Sequence, residues 1–492
     1  MSAYNYDRLS AQDYSFLTAE KGGVHMHIAA VQIFDAGPLR TGDGGIDFDA
    51  IRRATESVLH LIPRYRQRLA WTPLEGRPVW VDDPEFNLDY HIRHTCLPRP
   101  GDTEQLKHLA ARIMSQPLDR VRPLWESWVV EGLEGSTKFA IVSKMHHCMM
   151  DGTSGVDLAH ILLSPVPQTE VPEPVPYVPR PVPSGVELLR DSLSRVAAAP
   201  FRAAQGLREF ATEASDLRDE IRIRAKALSE LAGWVVRGAS DTPMNGTLGP
   251  HRRFDWLEMP LDNVKALSKR LDCTVNDVIL TTVSGAVRAF LMHRRVDPKR
   301  IDFRVSAPVS VRREEDRGTM GNQVSSWIVR LPIAEPHPVE RLRQIHAVTS
   351  DLKASNQALG VEMMMAMAEW TPSVVLSLGA RAASGPINMV VTNVPGPQIP
   401  LYLLGAKLQS AFPLVPLLEN TSVGVALFSY DGKLCWGFNG EYERMADMRR
   451  FVQAVQDAFD ELDAAAPTAT TDDSSETPTD IGIESGRLSR SA

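Results

Sequence analysis

Two adjacent histidines, His146 and His147, follow an apolar run that begins at Phe139. An acidic residue and a glycine, Asp151 and Gly152, complete the pattern HHxxxDG. A neutral imidazole, with a pKa of about 6.5, can take the proton of an alcohol while the alcohol oxygen attacks a carbonyl group. A tight turn at Gly152 could fold Asp151 back, where it would fix an imidazole or pair with a basic side chain. These residue types predict general-base chemistry.

The same histidines have other interpretations. Side chains on a strand alternate between its faces, so His146 and His147 point in opposite directions if the strand reaches them, and only one can face a given channel. Either could be an ordinary core or surface histidine, whereas a metal site would need a third ligand that is not apparent nearby. Cys148 could be a nucleophilic thiol, but as the next residue it would face away from His147. The complete pattern favours a base over metal or thiol chemistry.

The spacing of apolar residues predicts the elements that position these side chains. Strands are predicted at Ile28–Phe34, Phe139–Lys144, Phe303–Ala307, Gln323–Arg330, Met389–Thr392, Ser422–Ser429 and Leu434–Gly440. Helices are predicted at 48–60, 103–115, 155–163, 186–237 in pieces, 261–271, 275–293, 339–354 and 445–463. Because strands and helices mix in both halves of the chain, we expect two α/β domains.

Proline marks the clearest boundary. Eight prolines within residues 165–183 predict an extended spacer, with a polyproline ligand as the alternative. The residues after 464 are rich in Thr, Ser, Asp and Pro, which predicts a disordered acidic tail. We therefore divide the chain into an N-terminal domain (1–164), a proline-rich linker with connecting helices (165–245), a C-terminal domain (246–464) and the tail (465–492).

The composition excludes several classes of protein. With 43% hydrophobic and 23% charged residues, the 492-residue chain is not wholly disordered. A net charge of −8 argues against binding nucleic acid through its phosphates. Four cysteines without a CxxC pair argue against a zinc ribbon or a disulfide framework. The N-terminus lacks the apolar core of a signal peptide, and four prolines interrupt the uncharged stretch 382–406, so we expect any membrane contact to be peripheral.

The pattern HHxxxDG after a β run resembles the signature of acyl-CoA-dependent acyltransferases with the chloramphenicol-acetyltransferase-like fold. Further segments, in the right order, are similar to the bacterial wax ester synthase/diacylglycerol acyltransferase family. These segments are Leu9–Leu17, Pro63–Leu69, Pro123–Trp125, Asn245–Arg253, Asn276–Asp277, Gly321–Ser325 and Asn393–Pro397. The resemblance covers about residues 5–463 and leaves the tail outside.

The resemblance implies a fold and a mechanism. The fold is α/β: two chloramphenicol-acetyltransferase-like domains, each a mixed sheet flanked by helices, with a tunnel between them that acyl-CoA and a lipid alcohol enter from different sides. His147 would take the hydroxyl proton, the oxygen would attack the thioester carbonyl, and coenzyme A would leave as a thiol. His146 would support the site, and Asp151, followed by Gly152, would hold its geometry. No acyl-enzyme, metal or other cofactor is implied, and acyl-CoA is a substrate.

Two further groups could contact substrate. Asn276 would stabilise developing charge or position substrate, and Asp277 would brace the start of its helix, although Asn-Asp before an apolar helix is also an ordinary N-cap. Ser310, Arg312 and Arg313 could meet the nucleotide phosphates of acyl-CoA. The alternative for this loop is a solvated turn whose arginines pair with neighbouring acidic residues.

Two segments could contact lipid. Residues 361–370 hold four methionines within five positions, which suits either a surface for long acyl chains or a core helix. Residues 186–239 are amphipathic with balanced charge, and could lie on a lipid surface or against the body of the protein. We expect a cytoplasmic protein, peripherally associated with the inner face of the membrane or with lipid droplets.

The leading hypothesis is an acyl-CoA-dependent O-acyltransferase that converts diacylglycerol to triacylglycerol, a long-chain alcohol to a wax ester, or both. One alternative is an acyltransferase for another hydroxylated or amine metabolite, and a second is a non-catalytic lipid-droplet-binding protein. The expected partners are acyl-CoA, diacylglycerol or a long-chain alcohol, and a membrane or droplet surface, with no nucleic acid.

Overall fold

A computed structural model describes residues 6–73, 76–149, 158–194, 197, 239–310, 324–354 and 387–467. Within these ranges, the chain forms two six-stranded sheets and one three-stranded sheet, with helices packed against them. The predicted tail beyond residue 467, most of residues 195–238 and the methionine segment 361–370 lie outside the described residues.

The predicted elements within the described ranges are present, with ends shifted by a few residues. The strands are β1 (Asp7–Arg8), β2 (His27–Asp35), β3 (Gln67–Trp71), β4 (Pro78–Asp82), β5 (Ile92–Cys96), β6 (Trp125–Leu133), β7 (Lys138–His146), β8 (Arg252–Pro260), β9 (Phe303–Ser310), β10 (Val324–Leu331), β11 (Met389–Pro395), β12 (Tyr402–Leu403), β13 (Ala406–Leu414), β14 (Val423–Tyr430) and β15 (Lys433–Glu441). The helices are α1 (Ala11–Ala19), α2 (Phe48–Val58), α3 (Leu88–His91), α4 (Thr103–Ser115), α5 (Leu261–Arg270), α6 (Val275–His293), α7 (Pro338–Ala354) and α8 (Met448–Ala465). Residues 158–162 and 185–194 are also helical.

The first large sheet carries the histidine pattern on a central strand. Its strand order is β12-β13-β2-β7-β6-β5, and β2 pairs antiparallel with β7 so that His27 lies opposite His146. β7 is apolar on both faces because both are covered. Phe139 packs in a cluster that includes residues of α1 and α2, and Ala140 packs in a cluster with α4. This double coverage makes β7 a rigid base for the turn that follows it.

The second large sheet has the order β10-β9-β11-β14-β15-β8, in which β11 runs parallel to β9 and β14. Residues of α6, α7 and α8 share one apolar core with this sheet, including Val283, Phe290 and Phe451. Among the described helices, α6 alone is long and apolar enough to span a membrane, but 72% of its apolar window is buried inside the protein. Its apolar side chains serve this core.

One segment crosses between the two halves of the chain. β12 and β13 follow β11 in sequence, yet β13 pairs with β2 of the first sheet, with Leu408 opposite Phe34 and Leu414 opposite Ala29. The backbone of β13 passes so close to β15 that a Cβ atom on Gly437 would lie 1.8 Å from the carbonyl oxygen of Pro413. Glycine is therefore required at this crossing. The sequence pattern did not predict this exchange, because alternation of apolar residues does not reveal which strand a segment will pair with.

The proline-rich linker lies along the first half. Residues 167–184 form neither helix nor strand. The Tyr177 hydroxyl donates to the carbonyl oxygens of Arg66 and Asp83 at 3.1 Å, and the guanidinium of Arg180 pairs with Asp82 at 2.8 Å. The spacer thus contains neither helix nor strand at 167–184 and is attached to the first half by specific side chains.

Candidate active site

The chain reverses direction immediately after β7, and this turn holds the two histidines. β7 ends at His146, and the backbone N–H of His147 donates to the carbonyl oxygen of Met26 at 2.7 Å. This bond anchors His147 to the start of β2. The two rings then have different surroundings, since His146 lies beside His27 and His147 lies against α1.

His146 is enclosed by protein. Its side chain is 1% exposed, and its Nδ1 accepts a hydrogen bond from the backbone N–H of Cys148 at 3.1 Å. The proton of the neutral ring is therefore on Nε2, which lies 3.3 Å from Oε1 of Glu20. This arrangement orients the ring and leaves its two nitrogens facing protein groups.

Glu20, at the end of α1, connects several parts of the site. Its Oε1 accepts a hydrogen bond from the backbone N–H of Met26 at 2.7 Å, and its Oε2 pairs with the guanidinium of Arg120 at 2.6 Å. Burial by itself would raise the pKa of this carboxyl, but the neighbouring His146, Arg120 and His27 hold its pKa well below the usual range. Glu20 is therefore a carboxylate at neutral pH.

His27 completes the buried polar cluster. Its Nε2 lies 3.7 Å from Oε1 of Glu20, and its side chain is almost completely buried. Burial, together with the charge of Lys144, lowers the pKa of His27 well below its usual value. His27 is thus neutral at pH 7, while the Glu20 carboxylate pairs with Arg120.

His147 has a more open setting. Its side chain is half-buried, whereas the flanking residues His146 and Cys148 are buried. Its ring stacks on Phe16 of α1, with ring centroids 4.1 Å apart and an interplanar angle of 25°. A ring held on one face by stacking and by its backbone, and partly accessible elsewhere, can exchange a proton with a bound substrate.

Cys148 does not have the properties of a nucleophile. Its side chain is 2% exposed, and burial raises the pKa of the thiol well above its usual value. The reactive form of cysteine is the thiolate, so this residue is inert at neutral pH. Its function here is the backbone hydrogen bond to His146.

A buried lysine, Lys144, fixes the approach of β7 to α4. Its ammonium group donates to the carbonyl oxygens of Ile113 and Gln116, each at 3.0 Å, and pairs with Glu126 at 3.2 Å. Both carbonyl groups lie at the C-terminal end of α4, where the Ile113 carbonyl also accepts from the backbone N–H of Gln116. Lys144 therefore joins the histidine strand to the helix that faces the second half.

Asn276 and Asp277 lie at the start of α6, in the second half. Asp277 is completely buried and completes a capping box with Thr274, while its carboxylate also accepts from Thr349 at 2.6 Å and lies 2.9 Å from Nδ1 of His346. These contacts, after the opposing effect of burial, lower the pKa of Asp277. All of these partners are protein groups that hold the beginning of α6 against α7.

Asn276, by contrast, is exposed, and its Oδ1 accepts a hydrogen bond from Nδ2 of Asn393 at 2.9 Å. The pair lines a cavity of about 40 Å³ between α6, α7 and the end of β11. Two of the sequence segments noted above, Asn276–Asp277 and Asn393–Pro397, therefore meet. The predicted site residues form two groups, the histidines in the first half and this pair in the second.

Several predicted site residues cannot be placed. Asp151, Gly152, Arg312 and Arg313 lie outside the described residues, as does the side chain of Ser310. Among the described residues, no group of three or more His, Cys, Asp or Glu side chains could hold a metal ion.

Sequence reasoning missed the residues that support the histidines. Phe16 lies inside the segment Leu9–Leu17, and Glu20 follows that segment by three positions, but nothing local distinguishes them from ordinary helix residues. His27 and Arg120 come from other parts of the chain. β2 and β7 are far apart in the sequence, so no local pattern indicated that His27 and His146 would lie side by side.

Comparison with known proteins places the chain in a family. The profile of the wax ester synthase/diacylglycerol acyltransferase catalytic domain matches residues 9–279, and that of the WS/DGAT C-terminal domain matches residues 320–463. A Mycobacterium tuberculosis protein named probable diacylglycerol O-acyltransferase is 31% identical over 467 residues, which cover 93% of this chain and 96% of the relative. A Mycobacterium bovis relative, whose name is putative diacylglycerol O-acyltransferase, has the same identity and coverage.

Solved structures share the fold. The wax ester synthase/diacylglycerol acyltransferase from Marinobacter aquaeolei VT8 matches with a TM-score of 0.67 and 24% identity, over 94% of this chain and 99% of that one. The first condensation domain of the calcium-dependent antibiotic synthetase matches with a TM-score of 0.60 and 15% identity, over 95% and 98%. The predicted two-domain α/β fold and the predicted family resemblance are confirmed.

Proposed function

The chain belongs to the wax ester synthase/diacylglycerol acyltransferase family, and we propose that it transfers a long-chain acyl group from acyl-CoA to diacylglycerol, to a long-chain alcohol, or to both. Membership of this family makes it an acyltransferase. The observation that carries the assignment of the base is the position of His147, which is half-buried, stacked on Phe16 and held by the carbonyl of Met26.

The proposed reaction needs one base. The imidazole of His147 accepts the hydroxyl proton while the acceptor oxygen attacks the thioester carbonyl. The C–O bond of the ester forms and the C–S bond breaks. The imidazolium then gives its proton to the sulfur of coenzyme A, which returns the ring to its neutral form. Every proton and electron pair is accounted for, so we propose that no cofactor takes part.

The surroundings favour His147 over His146 as the base. His146 is enclosed, with one nitrogen bonded to the Cys148 backbone and the other facing Glu20. A base must come within hydrogen-bonding distance of the substrate proton, which a fully enclosed ring does not do. The function that we assign to His146 is to hold the turn in which His147 lies.

The state of Cys148 supports direct transfer. An acyl-enzyme intermediate would need a nucleophilic side chain next to the base. The thiol beside His147 is buried and protonated, because burial raises its pKa. We therefore propose that acyl-CoA and the acceptor are bound together, and that the acyl group moves between them in one displacement at the carbonyl carbon.

We further propose that the enzyme acts in the cytoplasm at a lipid surface, as a peripheral protein on the inner face of the membrane or on lipid droplets. Its lipid acceptors partition out of water, so the enzyme must meet them at such a surface. Exposed large apolar side chains are concentrated in the linker and the helix after it: Val166, Val175, Val178, Val182, Val186, Leu189 and Leu193. In the helical part, Val186, Leu189 and Leu193 follow the spacing of one helix face. Loss of vesicle flotation in a Val178→Ser/Val186→Ser variant would support this location, and unchanged flotation would contradict it.

The proposed function is tested by acyl transfer in vitro. Purified protein, labelled palmitoyl-CoA and diacylglycerol or hexadecanol should yield labelled ester and free coenzyme A in equal amounts. His147→Ala should abolish both, whereas His60→Ala, which alters an exposed histidine, should abolish neither. Equal activity of His147→Ala and the unaltered protein would overturn the assignment of the base.

A panel of acceptors decides between the remaining substrates. If coenzyme A thiol were released with other hydroxylated or amine metabolites but not with diacylglycerol or hexadecanol, the acceptor would be one of those metabolites and not a lipid. Binding to droplets without any thiol release would identify a non-catalytic lipid-binding protein.

A further inference from the structure

A large cleft lies between the two halves of the chain, on the outer side of α4. It has a volume of about 760 Å³, which is in the range of small-molecule sites. Its walls are α4, the beginning of β8 and the region from Tyr442 to the first turn of α8. Its charged lining residues are Glu104, Lys107, Arg112, Arg252, Arg253, Asp255 and Arg449.

The charge of the cleft is opposite to that of the chain. Five lysine or arginine side chains and two carboxylates line it, although the whole chain has a net charge of −8. Two of the cations are paired: Lys107 with Asp255 at 2.5 Å and with Glu104 at 3.0 Å, and Arg449 with Glu104 at 2.8 Å. The cleft therefore has three more positive charges than it has carboxylates.

The other three cations, Arg112, Arg252 and Arg253, have no carboxylate within 4.0 Å in the part of the chain that the structure describes. Arg112 is exposed on α4. Arg253 donates to the carbonyl of Tyr442 and lies over its half-exposed ring, with the guanidinium carbon 4.0 Å from the ring centroid. An anion that entered the cleft would meet the exposed Arg112 and an Arg253 that is already held in position.

Arg252 links the inner wall of the cleft to the histidine cluster. Its backbone N–H donates to the hydroxyl of Ser115 at 2.9 Å, and its guanidinium donates to the carbonyl of Gly23. Gly23 lies three residues before Met26, whose carbonyl holds His147. The cleft and the candidate active site thus share one short segment of backbone.

From this arrangement we propose that the cleft binds the nucleotide end of acyl-CoA, with Arg112 and Arg253 contacting its phosphates and Tyr442 lying beside its base. The proposal rests on the proposed function, because it concerns the donor substrate of the same reaction. Arginines bind phosphate groups through paired N–H donors, and an exposed aromatic ring can stack on a purine. Arg253, which ends one of the segments noted in the sequence, would thereby take the phosphate-binding function that the sequence predicted for the loop at 310–313.

The position of the cleft favours a soluble ligand over a lipid headgroup. Its arginines line a recess between two packed elements, whereas the exposed apolar side chains that suit a lipid surface lie in the linker, for example Val178 and Val186. The pantetheine arm of a ligand bound in the recess would have to pass the segment 23–26 to reach His147, and Arg252 joins that segment to the wall of the cleft.

The test uses two variants and a matched control in the full chain. Arg112→Gln and Arg253→Gln each remove a cation from the cleft, and Arg343→Gln removes an exposed cation on α7 whose partner is Glu340 on its own helix. The KM for palmitoyl-CoA should rise about five- to tenfold in each cleft variant with kcat nearly unchanged, because one charge-assisted contact is lost. With palmitoyl-pantetheine, which has no nucleotide, the cleft variants and Arg343→Gln should behave alike.

Calorimetric titration with coenzyme A and with 3′,5′-adenosine diphosphate gives a readout that does not depend on activity. Both affinities should fall in the cleft variants by a factor similar to the change in KM. Unchanged affinities, or an equal loss of kcat with both donors, would overturn the proposal. Weakened binding to phosphatidylglycerol vesicles with intact coenzyme A affinity would also overturn it, and would identify a lipid headgroup. If the protein transferred no acyl group to any acceptor, the proposed function would fail, while the titration would still decide whether the cleft binds the nucleotide.

Discussion

Oε1 of Glu20 lies 3.3 Å from Nε2 of His146 and accepts a hydrogen bond from the backbone of Met26. The carbonyl oxygen of Met26 accepts a hydrogen bond from the backbone N–H of His147. The Glu20 carboxylate therefore contacts both His146 and the residue that holds His147. The end of α1 and the strand pair β2–β7 are therefore held in one arrangement by a group that takes no part in the proposed proton transfer.

Replacing Glu20 should impair turnover more than substrate binding. In Glu20→Gln, the charge that faces His146 and Arg120 is lost while the side-chain size is kept. We expect kcat to fall by at least about tenfold with KM changed less than about threefold, because small displacements of a catalytic group are costly. Steady-state kinetics check this, with Glu56→Gln on α2 as the matched control and Glu20→Asp as a partial rescue. A rise in KM alone would contradict the positioning role.

Stacking on Phe16 should matter for His147. Phe16→Ala removes the ring that supports the imidazole, and we expect kcat to fall about tenfold while Phe16→Tyr retains most of the activity. Phe48→Ala is the control, because Phe48 stacks on His94 in the same way, 4.6 Å between centroids, away from the turn. Equal kcat values for Phe16→Ala and Phe48→Ala would show that the stack does not position the base.

Cys148 should be dispensable as a thiol. Cys148→Ala keeps the backbone N–H that bonds to His146, so activity should stay within about threefold of the unaltered enzyme. In native protein, iodoacetamide should label the exposed Cys96 and leave Cys148 unmodified, which peptide mass spectrometry can measure. Loss of all transfer in Cys148→Ala, with the fold intact, would argue for an acyl-enzyme instead.

Stability should decrease in mild acid because of buried histidines such as His91. Burial lowers the pKa of His91 to about 4 in the folded chain, from its ordinary value of 6.5. Between these values the unfolded chain binds a proton that the folded chain does not, so this contribution is complete above about pH 6.5 and is lost progressively as the pH falls. The loss amounts to roughly 3 kcal/mol. His91→Phe, which can still stack on Trp125, should flatten the pH dependence of urea midpoints between pH 6.5 and 4.5. His60→Gln should leave that dependence as it is, and a parallel curve for His91→Phe would refute the assignment.

Replacing Asp277 should mainly lower stability, whereas replacing Asn276 should mainly lower activity. Asp277→Asn weakens buried bonds to Thr349 and His346, and should lower the free energy of unfolding by about 3 kcal/mol. Asn276→Ala removes an exposed side chain, and should leave unfolding within about 1 kcal/mol while reducing kcat/KM. Urea denaturation and kinetics on both variants check this. An Asn276→Ala enzyme with full activity would remove Asn276 from the site.

The sequence predicted the parts of the site that depend on local pattern. The apolar run from Phe139 predicted β7, and the spacing Thr274 to Asp277 is that of a helix cap, because both features involve residues close in the chain. Because His146 and His147 are adjacent at the end of a strand, the sequence also predicted that their side chains would have different surroundings. In the structure, His146 is buried and His147 is half-buried.

Contacts between distant segments could not be predicted in this way. Glu20 reaches His146 and Arg120 across about a hundred or more residues, and nothing in its neighbours indicates those partners. The pairing of β13 with β2 is likewise fixed by three-dimensional packing. The resemblance supplied the order of the motifs but no geometry for the residues between them.

The exchange of β13 also has a consequence for biosynthesis. Until residues 406–414 leave the ribosome, the first sheet lacks one of its inner strands, and β2 remains an open edge of nine residues. Open, apolar edges recruit other chains, so the nascent first half is exposed to aggregation for most of translation. A fragment that stops at residue 164 would retain this defect permanently. We therefore expect the two halves to mature together, near the end of synthesis, rather than one after the other.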